Sequence, residues 1–224
     1  MAVHVGLRGP GHLSPAFGAP PAATAAPANT VTPSLSGIQT VGQTLTVGPG
    51  VWTQFPTGYA YAWKKNGVAN GATAQTYLLT AGDAGAAITC AVTATNGFGS
   101  ATASSNTATP AAALAISGSP GATGTAGGAY SFTPAASGGH AAYAFGLAGA
   151  LGASGLGFDT ATGALTATAL GPAATYGPFT ISVTDADGLT QSLAAFSIAV
   201  SGGGGGGSAA GRPIGFSLLL TRAS

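Results

Sequence analysis

Apolar positions along this chain alternate with polar ones in short runs and do not recur at helical spacing. From Gln43 the sequence reads QTLTV, YAYAWKKNG, TYLLTAGDAG and AITCAVTATN, runs rich in Thr, Val, Tyr and Leu that each lead into Gly, Asn or Asp. A period of two closed by turn residues predicts antiparallel strands packed on one face. Leu35, Val41, Leu45 and Val47 supply the first apolar positions, and Ile88, Cys90 and Val92 share a face further on. Tyr59, Tyr61 and Trp63 fall on one face of a strand and are expected in the core, with Ala60, Ala62 and Lys64 opposite. Asn66-Gly67 is a two-residue hairpin signal. Lys64 and Lys65, the only lysines, are expected to be solvated edge charges that discourage stray strand pairing. Beyond Pro110 the alternation resumes with Tyr130 and Phe132, then Phe179, Ile181 and Val183, then Phe196, Ile198 and Val200. The pattern predicts an all-β protein of two antiparallel sandwiches in tandem, over residues 30–110 and 111–200.

The flanking segments have a different composition. Residues 1–29 place Pro10, Pro15, Pro20, Pro21 and Pro27 among Gly and Ala, which predicts an extended arm with no helix or core of its own. Its larger side chains, Val3, Val5, Leu7, Leu13 and Phe17, are either anchors for docking onto a partner or part of a disordered leader. Residues 201–208, SGGGGGGS, read as a flexible linker with a root-mean-square span on the order of 15 Å. The tail that follows, residues 209–224, carries Ile214, Phe216, Leu218 and Leu220 in alternation. An apolar strand on a flexible tether needs a pairing partner, either a neighbouring subunit or the edge of its own sandwich.

Residues 30–110 resemble the immunoglobulin-like modules of bacterial surface proteins and of tailed-phage virion proteins. The features that carry the resemblance are a central Trp63, the Asp83-x-Gly85 corner and Cys90 on the strand that follows. Residues 113–200 resemble putative-Ig and cadherin-like repeats through Gly155-Leu156, Asp159 and Thr162-Gly163. In that second stretch the usual Pro before the Gly-Leu pair is missing, and Thr166-Ala167-Thr168-Ala169 replaces the usual small-Gly-Thr-Pro. The resemblance implies immunoglobulin-like sandwiches used as spacers or weak adhesive heads. It points to a virion structural protein, a capsid decoration or a head or tail fibre protein, with a secreted bacterial adhesin or glycan-binding module as the alternative.

Composition narrows the function. Only 4% of residues are charged, Glu is absent and the net charge is +1, too little positive charge to neutralise a run of phosphates or to hold an anionic membrane. Hydrophobic residues make up 46%, but 50 residues are Ala, so bulky side chains for two cores are few. FSLLL near the end is far too short to span a bilayer. MAVHVGLRGPGHLSPAFGAP is broken by Pro and Gly where a secretory signal is continuous, so synthesis in a host cytoplasm and arrival at a virion surface are expected, with an extracellular location as the alternative.

Candidate chemistry is sparse. The single cysteine, Cys90, excludes an internal disulfide and is expected as a buried thiol facing Leu45, with His4, His12 and His140 all distant in sequence. Asp83 is expected to accept a backbone N–H and fix its corner. Trp52 and Phe55, in VWTQFPTG, either stack on a sugar as an adhesion loop or plug the end of the sandwich. Asp185-Ala186-Asp187-Gly188 is the only paired-carboxylate site and is read as a hairpin turn, since calcium takes roughly six to eight oxygens. Zinc spacings, G-x-S-x-G, P-loop and dinucleotide fingerprints are missing, so no catalysis, metal or cofactor is expected. The expected partners are other virion proteins through arm and tail, further copies of the chain and a weakly bound host-surface glycan, with no nucleic acid and no membrane span.

Overall fold

In a computed structural model that describes residues 22–203, regular structure is strand throughout except for one 3-10 turn at Ala81–Asp83. No helix among the described residues is long and apolar enough to cross a membrane. These residues divide between Ala112 and Ala113 into two compact units, two residues after the boundary expected at Pro110. The all-β tandem architecture read from the alternation is the one observed.

The first unit contains β1 (Asn29–Val31), β2 (Ser34–Ser36), β3 (Thr44–Gly48), β4 (Val51–Trp52), β5 (Gly58–Lys65), β6 (Val68–Ala69), β7 (Thr76–Leu78), β8 (Ile88–Asn96) and β9 (Gly99–Ser104). One sheet runs β2-β3-β7 and the other β6-β5-β8-β9, while β1 and β4 form a separate ribbon. Alternation sets the inward face. Leu45 and Val47 of β3 meet Trp63 of β5 and Ile88, Cys90, Val92 and Ala94 of β8, all fully buried in one cluster. The Trp63 ring stacks on Tyr77 with centroids 5.1 Å apart, and its indole N–H donates to Ala74 O at 2.8 Å, so the largest core side chain leaves no polar atom unsatisfied. Asn66 and Gly67, at φ 50° and 81°, turn β5 into β6.

Asp83 closes the far end of the 3-10 turn. Its Oδ2 accepts the Thr80 N–H at 2.9 Å, the Thr80 hydroxyl at 2.8 Å and the Tyr77 hydroxyl at 3.0 Å. Burial alone would push this carboxyl up, but the Thr80 and Tyr77 donors and the Lys65 charge outweigh it and hold Asp83 below the ordinary carboxylate value.

Three expectations for this unit are corrected. Lys65 is not a solvated edge charge, because β5 lies between β6 and β8 and the Lys65 ammonium reaches Gly82 O and sits 3.5 Å from Asp83 Oδ1. Tyr59 is not core. It is 41% exposed, and Tyr61 is half-buried, because the facing strands span three to five residues against eight in β5 and cover only its Trp63 end. Residues 22–29, assigned to the arm, belong to this unit: Thr53 N–H donates to Ala28 O, and Thr24 N–H donates to Gln54 Oε1, each at 2.9 Å. Small Ala and Pro side chains let this backbone lie close against the sandwich.

The second unit contains β10 (Ala115–Ser117), β11 (Thr123–Thr125), β12 (Tyr130–Phe132), β13 (Ala135–Ser137), β14 (Ala144–Ala148), β15 (Gly157–Phe158), β16 (Leu165–Ala167), β17 (Ala174–Thr184), β18 (Thr190–Ser192) and β19 (Phe196–Ser201). Its sheets run β11-β19-β17-β14, with β18 also on β17, and β12-β16-β15, with β10 and β13 as a ribbon. Phe179, Ile181 and Ile198 pack against Leu165, Tyr130 and Phe132, and the half-buried Phe196 ring lies 6.3 Å from that of Phe132 and 5.8 Å from that of Phe179. Ser201, read as the start of the linker, instead ends β19 opposite Thr125 of the parallel strand β11. Gly163 of the Thr162-Gly163 pair sits at φ +72°, and a Cβ there would come within 2.6 Å of the Phe145 ring, so the turn requires glycine.

Two outcomes are expected from the first core. Cys90 is fully buried and its thiol is pushed up by that burial, so a thiol reagent should modify it slowly in native protein and rapidly after denaturation; equal rates in the two states would contradict the burial. Asp83→Ala should lower the unfolding free energy by about 2–3 kcal/mol in equilibrium denaturation. The folded carboxyl has the lower pKa, so its contribution is complete above about pH 4 and fades as pH falls through the depressed value. The variant's stability should therefore fall less on acidification than the parent's.

Candidate functional site

Two groups of residues stand out from the packing. The first lies in the second unit, where the loop after β13 meets the turn between β17 and β18. Asp185 organises it. Its Oδ1 accepts the N–H groups of Asp187 and Leu189 at 3.0 and 2.9 Å, and its Oδ2 accepts the His140 N–H at 3.1 Å. Burial opposes ionisation, but these three donors prevail and keep Asp185 below the ordinary carboxylate value. His140 Nδ1 then lies 2.6 Å from Asp187 Oδ2. The approach needs Gly139, at φ +59°, because a Cβ there would stand 2.4 Å from Asp185 Oδ2.

The ligand atoms of His140, Asp185 and Asp187 all lie within 4.8 Å of one another, a set of types that can hold a divalent ion. The arrangement uses them differently. Asp185 has both oxygens committed to main-chain donors, and His140 and Asp187 are bonded to each other, so the group ties a loop to a hairpin. The Asp-Ala-Asp-Gly turn was legible in the sequence. The arrival of His140 from 45 residues away was not, and the Gly138-Gly139 pair before it was the only local sign of a close approach.

The second group lies in the first unit, around Asn96. Its Nδ2 donates to Gln54 O at 2.7 Å and to Ala25 O at 2.8 Å, and its Oδ1 accepts the Phe98 N–H at 2.9 Å. One buried amide thus clamps three segments: the incoming chain, the loop after β4 and the β8–β9 turn. Gln54 and Phe55 are held at φ 60° and 50°, a left-handed conformation that bulky residues adopt only when their surroundings impose it. The result is a fixed main chain beneath two exposed aromatic side chains. Phe55 is 56% exposed and Phe98 62% exposed, and both hang from segments bonded to the Asn96 side chain. Rings on an anchored backbone offer an apolar face to a ligand without ordering the loop that carries them.

The structure divides the two readings of the Trp52 and Phe55 loop between its two rings. Phe55 is at the surface, but Trp52 is not: it is 9% exposed, belongs to the core, and donates its indole N–H to Pro49 O at 2.7 Å. A two-residue strand, β4, turns Trp52 inward and leaves the loop to carry Phe55 outward. Phe98 was not anticipated; its signal was an aromatic inside the Asn-Gly-Phe-Gly turn, where a packing role has no strand to rest on. Trp63, Asp83 and Cys90 are all interior. The candidate partner contacts Val5, Leu7, Leu13 and Phe17 in the arm, and Ile214, Phe216, Leu218 and Leu220 in the tail, lie outside the described residues.

No protein-family model matches the chain, and no curated protein matches it. It is similar in architecture to several solved structures. An I-band fragment of titin is 14% identical over 80% of this chain and 66% of its own, with a TM-score of 0.44. Immunoglobulin domains 1–4 of Sidekick-1 are 16% identical over 79% of this chain and 49% of theirs, with a TM-score of 0.43. Three N-terminal domains of the highly immunogenic outer capsid protein of bacteriophage RB49 are 14% identical over 76% of this chain and 59% of theirs, with a TM-score of 0.35. The chain therefore spans between about half and two thirds of the length of these structures.

The Asp185 tie makes a direct prediction. Gly139→Ala drives a methyl into Asp185 Oδ2 and strains the observed left-handed φ, so it should cost more than about 1 kcal/mol in chemical denaturation. An unchanged midpoint would show that the loop does not depend on this approach.

Proposed function

We propose that this chain works by contact and not by catalysis, as a structural protein of a tailed-phage particle that displays two immunoglobulin-like sandwiches for weak adhesion to a host surface. The observation that carries the reading is the exposure of Phe55 and Phe98 on main-chain segments anchored by Asn96, in an otherwise nearly uncharged molecule. All four carboxylates support the non-catalytic part. Asp83, Asp159 and Asp185 each accept main-chain N–H groups at turns, and Asp187 is bonded to His140. These bonds tie all four carboxylates to turns of the fold.

Two exposed rings give little affinity singly. Many copies on one particle multiply weak contacts into useful adhesion without any new interaction. The particle assignment rests on the resemblance of residues 30–110 and 113–200 to modules carried by phage and bacterial surface proteins, and the neutral composition fits attachment by apolar and main-chain contacts.

Mass spectrometry of density-purified particles from the source should recover this chain in many copies. Recovery only from the medium of uninfected cells would replace the particle with a secreted adhesin. On particles, Phe55→Ala with Phe98→Ala should weaken attachment to host cells by about tenfold or more through lost multivalency, with the thermal transition of the protein unchanged because neither ring is in the core. Attachment at the parental level would remove these rings from the adhesive surface.

A further inference from the structure

Three of the five asparagines precede a glycine: Asn66-Gly67, Asn70-Gly71 and Asn96-Gly97. An Asn-Gly pair carries its own reaction. The glycine main-chain nitrogen, unshielded by a Cβ, attacks the asparagine side-chain carbonyl, closes a cyclic succinimide and releases ammonia. In a folded protein this asks that the side-chain carbonyl be folded back over the following peptide. It also asks that the amide reach water and that its nitrogen not be locked in place. The fold treats the three pairs differently on these counts.

Asn96 is shut off from water and locked. It is buried, its Nδ2 donates to both Gln54 O and Ala25 O, and its Oδ1 accepts the Phe98 N–H. Asn66 is exposed but turned away. Its Oδ1 accepts the Ala87 N–H at 2.9 Å and its own N–H donates to Ala87 O at 2.8 Å, so side chain and main chain are both held toward the segment before β8. Asn70 has neither restriction. It is exposed, directly follows β6, and its Oδ1 accepts the N–H of Ala72, two residues on, at 3.1 Å. That bond folds the side-chain carbonyl back over the Asn70-Gly71 peptide. Gly71 sits at φ +86° with open space where a Cβ would stand, so no neighbouring segment crowds the turn.

The position of Asn70 couples this chemistry to the Asp83 corner. The Tyr77 hydroxyl donates its proton to Asp83 Oδ2 at 3.0 Å and is also bonded to the Asn70 side chain. Burial first, and then the bond to Asp83, raise the Tyr77 pKa, whereas the Asn70 bond lowers it, the sign of an amide donating to the phenol oxygen. An ionised acid in place of this amide has no N–H to give. It sets a negative oxygen beside a phenol whose one proton is already given to Asp83. The main chain is involved as well, since Asn70 N–H donates to Trp63 O and Trp63 N–H donates to Ala72 O, each at 3.1 Å. An isoaspartate routes the chain through the side-chain carbon and so inserts an extra atom between these two bonds, at the main chain of the fully buried Trp63.

We propose that Asn70-Gly71 is a self-modification site, at which the chain converts its own asparagine to aspartate or isoaspartate and thereby weakens the Asp83 corner. The step balances with water alone. The Gly71 nitrogen gives its proton to solvent and bonds to Asn70 Cγ; the Cγ–Nδ2 bond breaks, and the side-chain nitrogen takes a proton from solvent and leaves as ammonia. Water then opens the ring. Cleavage of the new Cγ–N bond gives aspartate and restores the original main chain, and cleavage at the original peptide carbonyl gives isoaspartate. Either product adds a fifth carboxylate and removes the net charge of +1.

The test ages the full-length chain in warm, mildly alkaline buffer and maps it by mass spectrometry, with fragmentation that distinguishes aspartate from isoaspartate. In folded protein Asn70 should convert about tenfold or more faster than Asn66 and Asn96, and the three rates should converge in denaturant, where the fold no longer separates them. Comparable rates at the three sites in folded protein, or no conversion at Asn70, would overturn the site. The consequence is read with variants. Asn70→Asp should lower the denaturation midpoint of the full-length chain. In a Tyr77→Phe background, which keeps the ring that stacks on Trp63 but removes the phenol oxygen, the same substitution should have little further effect. A parental midpoint for Asn70→Asp, or an equal loss in the Tyr77→Phe background, would overturn the coupling to the Asp83 corner. Recovery of the chain from particles is indifferent to all of these results, so this proposal and the particle assignment can fail separately.

Discussion

A carboxylate that accepts main-chain N–H groups fixes a critical turn in each sandwich, and the two folds depend on it. Asp83 gathers Thr80 and Tyr77 at the 3-10 turn before β8, and Asp185 gathers Asp187, Leu189 and His140 where β17 turns into β18. An ionised carboxylate is the strongest acceptor a side chain offers, and a charge-assisted bond is roughly twice as strong as a neutral one. In a chain with four acids, placing them at turns puts the available electrostatic energy where backbone direction changes. The strands between then need only alternate.

That economy has a cost in side-chain volume. The first core relies on Trp63 stacked on Tyr77 to fill the space that larger aliphatic residues fill elsewhere, and the second on three interlocked phenylalanine rings, Phe132, Phe179 and Phe196. Alanine at the periphery of each cluster brings backbones together but leaves margins shallow. The exposed rings Phe55 and Phe98 occur in the first unit, where a clamped loop and a tight turn leave apolar groups that the sandwich itself does not use.

What could be read in the sequence follows from range. Alternation in β3, β8, β17 and β19 depends on nearest neighbours, and so do the Asn66-Gly67 turn and the Asp83 corner, so these were legible. Tyr59 misled because alternation assigns a face but not the length of the opposing sheet. Lys65 misled because its partner, Asp83, comes from a turn in another part of the chain. Trp52, His140 and Asn96 owe their positions to contacts between segments that no local period links: Trp52 to burial of a two-residue strand, His140 to a hairpin 45 residues on, and Asn96 to bonds reaching Gln54 and Ala25. The all-β architecture was therefore visible in advance, while the exposed aromatic display was half visible, in Phe55 but not in Phe98.

The parallel pairing of β11 with β19 joins a strand near the start of the second unit to its last one, with Thr123 opposite Ala199 and Thr125 opposite Ser201. Tension along the polypeptide enters this unit near one of those strands and leaves from the other. Because they run in the same direction, a pull on the two ends slides them lengthwise past each other and strains their hydrogen bonds together, whereas an antiparallel hairpin would unzip one bond at a time. A pull on the two ends of this unit therefore loads the β11–β19 hydrogen bonds in shear.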